Sequence, residues 1–559
     1  MSFERSWHRS YMPGVPRELD FDKITMPEAL TRTAGRFPDR PALVFMGKKI
    51  SYRELDALVN RFAAALTAIG VKAGDRVAML LPNMPQFVIA NYAAFRIGAV
   101  TVMNNPLSTE EELAYQLNDS DSTVLITLDL RLPLALPLRR KTGIRSIIAC
   151  HITDYLPFPG NKLFPYIQPS LYRKIEPEAG IYEFLALLDK YPDTPVETKA
   201  HWEEVGALLY TEGTTGVSKG VMLTHANISC NTQQLRAWLP ELKDGTESIM
   251  AVFPFFHSSG WTGIQNMSIL AGWTDILVPH PEPQAIIEIL KKHKPTILPV
   301  LSAVYTGLLA REELRKAGLS SVKGFLSGAT PLSAAVLKKL KALRDAPVIN
   351  LYGLTEICAI GTATPWSGEE KPGSVGVPLP GTDLRIVDAE TGMRELPTGE
   401  AGEICFRGPQ VMTGYCKKPG ETAAVLKDGW LFTGDIGFLD EDGFLTILDK
   451  KKDLIVMNGS TIYPREIDQT LLAHPQILDV CTIGIPDGHG GKTVKAYVVL
   501  KPGQTVDAEE IIAHCRERLT PEKVPRGIEF IDALPKSALG KVLRREVNQI
   551  EKKNRAEKT

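Results

Sequence analysis

The chain lacks long apolar runs. No uninterrupted hydrophobic stretch reaches about 18 residues, so no membrane-spanning helix is expected. It also lacks net charge: 64 Lys and Arg stand against 65 Asp and Glu, a formal balance of −1. That argues against a nucleic-acid protein whose affinity comes from one strongly basic face, although local basic patches remain compatible with it. Cysteines are few, seven in 559 residues, and none forms a CxxC pair. Such sparse, scattered thiols suit a reducing, cytosolic compartment. The first residues, Met1 to His8, have no apolar h-region, so no signal peptide is expected. There are no internal repeats. What is present is ordinary globular composition, 44% hydrophobic and 23% charged, in a chain too long for one core. Two or more subdomains follow.

The first half alternates helical and strand patterns. Ser51-Tyr52-Arg53-Glu54 reads as a capping box, followed by Leu55, Leu58, Phe62 and Leu66 at helical spacing. Arg76 to Leu81 is a buried-strand run stopped by Pro82. A helix is expected near Phe87 to Ile97, a strand at Val100 to Met103, and a capped helix starting in Ser108-Thr109-Glu110-Glu111 and carrying Leu113 and Leu117. This alternation predicts an α/β sheet architecture. From Thr153 to Glu183, five prolines stand among aromatics and basic residues, and the stretch reads as an irregular excursion. Two readings stay open for it: a covering loop packed on the domain, or a surface that rests on a membrane. Pro380 to Thr446 reads as a small β-rich subdomain. Beyond the basic run Lys450-Lys451-Lys452, about a hundred residues have their own pattern, with a strand at Val494 to Leu500 and a helix at Ala508 to Leu519. They read as a separate C-terminal domain.

The segment richest in chemistry is Tyr210-Thr211-Glu212-Gly213-Thr214-Thr215-Gly216-Val217-Ser218-Lys219-Gly220. A buried strand, Ala207 to Tyr210, precedes the loop and another, Val221 to Leu223, follows it. Glycines let backbone N–H groups converge on an anion, threonine hydroxyls add donors and the lysine adds a point charge. It is not a Walker A loop, because Ser218 and not glycine precedes the lysine. It also leads into a strand, so no helix dipole aims at the anion. A plain Gly/Thr-rich surface loop is the competing reading.

Five further segments accompany it. Pro254-Phe255-Phe256-His257-Ser258-Ser259-Gly260-Trp261 sets one histidine among aromatics. Leu326-Ser327-Gly328-Ala329-Thr330-Pro331-Leu332 is a small-residue strand end. Asn350-Leu351-Tyr352-Gly353-Leu354-Thr355-Glu356 is an apolar strand ending in Thr and Glu, with Cys358 nearby read as a buried thiol. Gly429 to Asp435 sets a carboxylate at a strand edge, and Pro535 to Arg545 is a basic loop holding Lys541. Singly each is weak, since a histidine among phenylalanines is more often a core residue, and a lone Asp more often a cap or turn residue.

Together and in this order they resemble the adenylate-forming superfamily of acyl-CoA synthetases, luciferases and peptide-synthetase adenylation domains. The resemblance runs from about Phe37 to Val547. Asn105-Pro106-Leu107, Glu112-Leu113 and Gln116 to Ser120 are similar to the branch of bacterial fatty-acid–CoA ligases. It implies a large N-terminal domain, 1–449, of two α/β sheet subdomains plus a small β-rich one, a hinge at 450–452, and a small mobile α+β domain at 453–559. It implies an ATP-dependent acid–thiol ligase using Mg²⁺ and coenzyme A, in which a carboxylate attacks the α-phosphate and coenzyme A then displaces AMP.

By this resemblance Thr211, Gly213, Thr214, Thr215, Gly216 and Lys219 would hold the β- and γ-phosphates. Thr355 would contact the α-phosphate and Glu356 would hold Mg²⁺, a hard cation suited to oxygen ligands. Gly328, Ala329, Thr330, Tyr352 and Gly353 would form the adenine slot, and Asp435 with Lys450 would bind the ribose. Lys541 and His257 would meet the reacting carboxylate. Phe256, His257, Trp261, Gly328 and Ile360 would line the acyl pocket, Trp261 in the place of a gating tryptophan. Gly459 would line the coenzyme A tunnel and Lys452 would be the hinge residue. The expected partners are a small carboxylic acid, ATP and coenzyme A, with no nucleic acid. A peripheral contact with the inner face of a membrane and a homodimer stay open, as does the acyl chain.

Three residues depart from the family pattern. Glu212 replaces a serine or glycine. A carboxylate about 5 Å from a phosphate charge costs about 3 kcal/mol at an effective dielectric near 20, so its side chain is expected to point away or to bind a cation. Ser218 replaces proline or alanine, a mild change. Lys450 replaces a ribose-binding arginine, keeping the charge but losing the planar fork. The alternatives are an adenylate former that loads a separate carrier protein and a degenerate paralogue that binds without turnover. Lys219, Glu356, Asp435 and Lys541 weigh against the second.

Overall fold

A computed structural model describes residues 5–211, 217–300, 302–309, 311–328, 334–368, 371–457, 460–486, 492–537 and 540–558. Two large, mostly parallel sheets carry the N-terminal part. One has eight strands in the order Gly414–Tyr415, Lys219–Thr224, Val205–Thr211, Val100–Met103, Arg76–Leu80, Ser122–Leu128, Ser146–Cys150 and Ile181–Glu183. The other has nine, with Val348–Tyr352, Gly324–Ser327, Ile297–Val300, Ser248–Ala251 and Thr274–Leu277 running through its middle. Helices Tyr52–Ala68, Pro85–Arg96 and His225–Trp238 belong to the same continuous apolar core as both sheets. Pro85–Arg96 is buried at every position, because it packs on both sides and has no solvent face.

The helix starts follow local chemistry. The Ser51–Glu54 capping box forms in both directions. The capped helix expected to start within Ser108–Glu111 does so: Thr109 caps Glu110–Asp119, with Glu112 closing the box. A fourth-position residue can reach back only from N3, and Glu112 is three residues after Thr109. Thr224 and Asn227 form another, and the Asn227 amide also donates to Pro409 O at 2.7 Å and Val411 O at 2.9 Å. That ties the helix behind the glycine-rich loop to the β-rich region.

The β-rich region is a five-stranded sheet built on Asp383–Val387, Gly402–Arg407 and Trp430–Leu439, with Leu445–Lys450 at its end. Beyond it a three-stranded sheet, Ile477–Pro486, Lys492–Leu500 and Gly527–Phe530, builds its own apolar clusters with helices Pro464–Leu472 and Ala508–Arg516. Ala508–Arg516 stops three residues before the expected Leu519, as its polar end turns with Arg518 and Leu519 N–H bonded to Cys515 O. All seven cysteines are free and buried.

The excursion after Thr153 is not wholly irregular. It contains a helix, Gly160–Ile167, and a short 3₁₀ turn. Prolines did not prevent this: Pro159 precedes the first helical residue, where no N–H is needed, and Pro165 removes one bond from a helix of only two turns.

Candidate active site

The nucleotide end is organised by Asp435. It was expected at a strand edge, but it lies inside Trp430–Leu439, flanked by two paired strands and next to a bulge between Ile436 and Gly437. Its side chain reaches the end of Val348–Tyr352. The Tyr352 hydroxyl donates to Asp435 Oδ2 at 2.8 Å, and Lys450, paired with Asp435 across the sheet, sets its Nζ 2.5 Å from Oδ1. Burial and the neighbouring carboxylate push the Tyr352 phenol far above its ordinary range, so it stays a donor. Burial pulls the Lys450 pKa down, and the charge of Asp435 more than offsets this. Gly328 lies buried just past Gly324–Ser327, beside Leu351. At Gly353 a Cβ would stand 1.8 Å from Ala359 O, so the chain can fold back there only with glycine. Ala329 and Thr330 lie outside the described residues.

At the phosphate end, Thr211 and Lys219 face each other across the hairpin that brackets the loop. Glu212, Gly213, Thr214, Thr215 and Gly216 lie outside the described residues, so the expected direction of Glu212 is not part of the structure. Lys219 is buried, ion-paired with Glu421, and its Nζ sits 4.8 Å from the centre of the Tyr415 ring. Thr355 and Glu356 do not end a strand as expected. They occupy one 3₁₀ turn, Thr355–Ile357, beyond it. Tyr415 OH donates to Glu356 Oε1 at 2.8 Å, while Oε2 has no hydrogen-bond partner among the described residues. No group of three or more His, Cys, Asp or Glu able to hold a metal occurs among the described residues. One fixed carboxylate with an oxygen to spare still fits Mg²⁺, which takes few protein ligands when it arrives with phosphates and water.

The third corner is built by a tight turn. A Cβ at Gly260 would fall 2.2 Å from Pro254 O, in a turn where the Trp261 N–H donates to His257 O at 2.9 Å. His257 Nδ1 accepts from the Ser259 N–H at 3.3 Å and lies 2.9 Å from Ser259 Oγ. Burial, then the positive charge of Lys541, pushes its pKa down to about 4. The ring is therefore neutral at pH 7 and, with Nδ1 accepting, carries its proton on Nε2. Lys541, whose charge acts on this ring, belongs to the C-terminal loop. That loop is closed on itself by Ser537 N–H to Lys541 O at 2.8 Å.

Trp261 begins a π-helical stretch, Trp261–Asn266, a local widening often found at functional sites. Its ring is fully buried, 6.0 Å from that of Phe95, and its Nε1 has no hydrogen-bond partner among the described residues. Ile360 lies across from this stretch, with Cδ1 3.7 Å from where a Cβ on Gly263 would be, and its backbone is held on both sides by Asn231. Phe256 is partly buried against the same core.

Residues 30–416 match the AMP-binding enzyme family, and residues 466–541 match the AMP-binding enzyme C-terminal domain. The chain belongs to the AMP-binding enzyme family. A long-chain-fatty-acid–CoA ligase of Bacillus subtilis (strain 168) is 43% identical over 558 residues, 99% of each chain. One from Salmonella typhimurium is 35% identical, covering 97% of this chain and 98% of its own. Among solved structures, ATP-bound MatB from Rhodopseudomonas palustris matches with a TM-score of 0.83 and 28% identity, over 94% of this chain and 99% of that one. The anthranilate CoA ligase AuaEII, in complex with anthranoyl-AMP, matches with 0.85 and 26%, over 95% and 98%.

In this AMP-binding enzyme the two parts meet around Lys450–Asp453. Lys452 is exposed in the 3₁₀ turn Lys451–Asp453, and Gly459 lies outside the described residues. Arg544, three residues past Lys541, reaches Asp468 at 2.6 Å and Asp449 and Asp453 at 3.4 Å each. Asp449 also accepts the Arg465 N–H at 2.8 Å. Arg544, Tyr415, Glu421 and Ser259 were missed in the sequence. Ser259 and Arg544 each lie within three residues of a predicted one. Tyr415 and Glu421 had no such signal, because their partners Glu356 and Lys219 are far away in the chain.

Proposed function

We propose that this AMP-binding enzyme is an ATP-dependent carboxylic acid–CoA ligase acting on a medium- or long-chain fatty acid or a related hydrophobic acid. The acid's carboxylate oxygen attacks the α-phosphorus of ATP, the bond to the β-phosphate breaks, and pyrophosphate leaves. The coenzyme A sulfur then attacks the acyl carbon and AMP leaves. The observation that supports this reading is the neutral His257, held between Phe256 and the Trp261 turn, whose pKa the positive charge of Lys541 from the C-terminal part helps to lower.

Each role follows from placement. Asp435, flanked by Tyr352 and Lys450, would accept the ribose hydroxyls. Gly328, Ala329, Thr330 and Gly353 would leave room for adenine beside Tyr352. Thr211, the 213–216 loop and Lys219 would bind the terminal phosphates, with Lys219 leaving Glu421 to do so. Thr355 would meet the α-phosphate. Glu356 Oε2 would hold Mg²⁺, which when bound offsets phosphate charge. His257 Nε2–H would donate to the substrate carboxylate, and Lys541 would stabilise charge gathering between two anions, which is where preset donors act most strongly. Phe256, Trp261 and Ile360 would set the acyl channel. For the second step, residues 453–559 would turn about 450–452, taking Lys541 away and bringing Gly459 to the pantetheine arm.

The enzyme would work in the cytoplasm, in peripheral contact with the inner face of the membrane. The test separates the two half-reactions. Lys541→Ala should lose at least about a hundredfold in acid-dependent pyrophosphate release, a typical loss for one preset electrostatic group. It should still convert synthetic acyl-AMP and coenzyme A to thioester. Equal loss in both halves contradicts the assignment.

A further inference from the structure

The excursion after strand Ser146–Cys150 has a fixed root and an uncovered tip. At the root, Asp129 Oδ2 accepts from the Arg173 N–H at 2.6 Å and lies 2.8 Å from His151 Nδ1. Tyr172 stacks on His151 with ring centres 4.6 Å apart. Asp154 Oδ2 takes bonds from His151 N–H and from Gln86 of the Pro85–Arg96 helix. At the tip, Phe158 is 83% exposed, Tyr166 84%, Ile167 71% and Leu163 48%. Leu163, Tyr166 and Ile167 are spaced three and four residues apart and share one face of Gly160–Ile167. Large apolar side chains gathered on a held element mark an interaction surface.

Charge selects the partner. Residues 155–175 contain no acidic side chain and carry Lys162, Arg173 and Lys174, the last paired with Glu176 just beyond at 3.1 Å. A second basic element abuts this segment. Gly47, at the tip of the Pro41–Phe45/Lys48–Ser51 hairpin, has both Lys292 Nζ and Pro157 Cγ within 3.6 Å of where its Cβ would be. Lys48, Lys49 and Lys292 are exposed there, and Met46 is 48% exposed beside them. Glu288, one turn before Lys292, is the nearby acid on that helix, and its carboxylate accepts from Gln284. An apolar tip with exposed lysines on its Pro157 side fits an interface of acyl chains below anionic headgroups.

We infer that Phe158, Leu163, Tyr166 and Ile167, with Lys48, Lys49 and Lys292 around them, form the surface by which this chain docks on an anionic phospholipid bilayer. The root is bonded to Pro85–Arg96, whose Phe87 packs 5.6 Å from Phe255, two residues before His257. The bilayer-bound face and the acyl site therefore share one helix. The use of this face to collect a hydrophobic acid from the bilayer rests on the ligase reading; the docking itself does not.

The experiment is flotation of the full chain with vesicles, without ATP. One set contains phosphatidylcholine alone and the other one quarter phosphatidylglycerol. The parent should float with the anionic vesicles at 0.1 M salt, and binding should fall at least tenfold at 0.5 M salt or on phosphatidylcholine alone. The combined variant F158S/Y166S/I167S should lose at least tenfold in binding. K48E/K49E/K292E should lose the dependence on phosphatidylglycerol. Both should keep the parent's melting temperature and its turnover of a short, water-soluble acid. Binding of F158S/Y166S/I167S equal to the parent overturns the inference, as does a parent that floats with neither vesicle. A parent dimer in sedimentation that this variant converts to monomer also overturns it, giving the face to a second copy. A parent that floats but releases no pyrophosphate with any acid refutes the ligase reading alone.

Discussion

Asp435 is engaged on both oxygens at once, by Lys450 Nζ at 2.5 Å on Oδ1 and by the Tyr352 hydroxyl at 2.8 Å on Oδ2. A ribose can take this carboxylate only by displacing or sharing those donors. Lysine supplies one rotating point charge, whereas arginine would add a planar fork that can hold the carboxylate and a hydroxyl together. Lys450→Arg is expected to tighten ATP binding several-fold, and Asp435→Ala to weaken it by about a hundredfold, the scale of lost charged hydrogen bonds. Equilibrium titration with ATP and Mg²⁺ measures both, and an unchanged affinity in Lys450→Arg removes the argument from the fork.

His257 yields a pH prediction with a definite sign. Its pKa is about 4 in the folded chain against 6.5 ordinarily, so the folded state binds fewer protons between those values. Its contribution makes stability rise with pH through that window and leaves it level above. Adenylate formation should therefore show no inflection near pH 6.5 from this ring. His257→Gln should be slower at every pH, with the parent's profile shape above pH 5.5. A parent inflection near 6.5 that disappears in His257→Gln contradicts a neutral His257.

Arg544 links Asp449, at the end of the β-rich sheet, to Asp468 of the C-terminal part, in the arrangement in which the charge of Lys541 acts on His257. Removing one side of such a partly enclosed cluster costs about 3–5 kcal/mol when carboxylates are left unpaired. Arg544→Ala should lower the melting temperature. Asp449→Asn, which keeps the shape and one acceptor oxygen, should slow acid-dependent pyrophosphate release more than thioester formation from acyl-AMP. Equal slowing of the two, by stopped-flow, would show that the contact does not favour the adenylating arrangement.

Trp261 is both a packed ring and a candidate channel wall. Truncating a buried tryptophan to alanine costs about 3–5 kcal/mol, so Trp261→Ala should melt well below the parent. If the ring also closes the channel, kcat/KM for palmitate relative to octanoate should rise several-fold. Lower stability with an unchanged chain-length profile marks Trp261 as core alone.

Much of this was legible in the sequence because it is local. Strand runs such as Arg76–Leu80 and Val100–Met103 carry their apolar side chains consecutively, and Ser51 with Glu54 caps a helix from within four residues. Of the six motif segments, Asn350–Glu356 and Gly429–Asp435 meet where the Tyr352 hydroxyl donates to Asp435. What could not be read depends on long-range contacts. Asp435 sits inside its sheet because Leu445–Lys450 pairs beyond it, and Glu356 is aimed by Tyr415, 59 residues away. The helix Gly160–Ile167 was hidden by its prolines, and its exposed face reflects tertiary placement, not periodicity.

The most direct measurement is pyrophosphate release from ATP and Mg²⁺ with a panel of acids, from acetate to palmitate plus benzoate and cyclohexane carboxylate, with and without coenzyme A. The account predicts sustained release that needs both an acid and coenzyme A, greatest with medium- or long-chain fatty acids. Release that is equally sustained without coenzyme A, or absent with every acid in a folded protein, would contradict it.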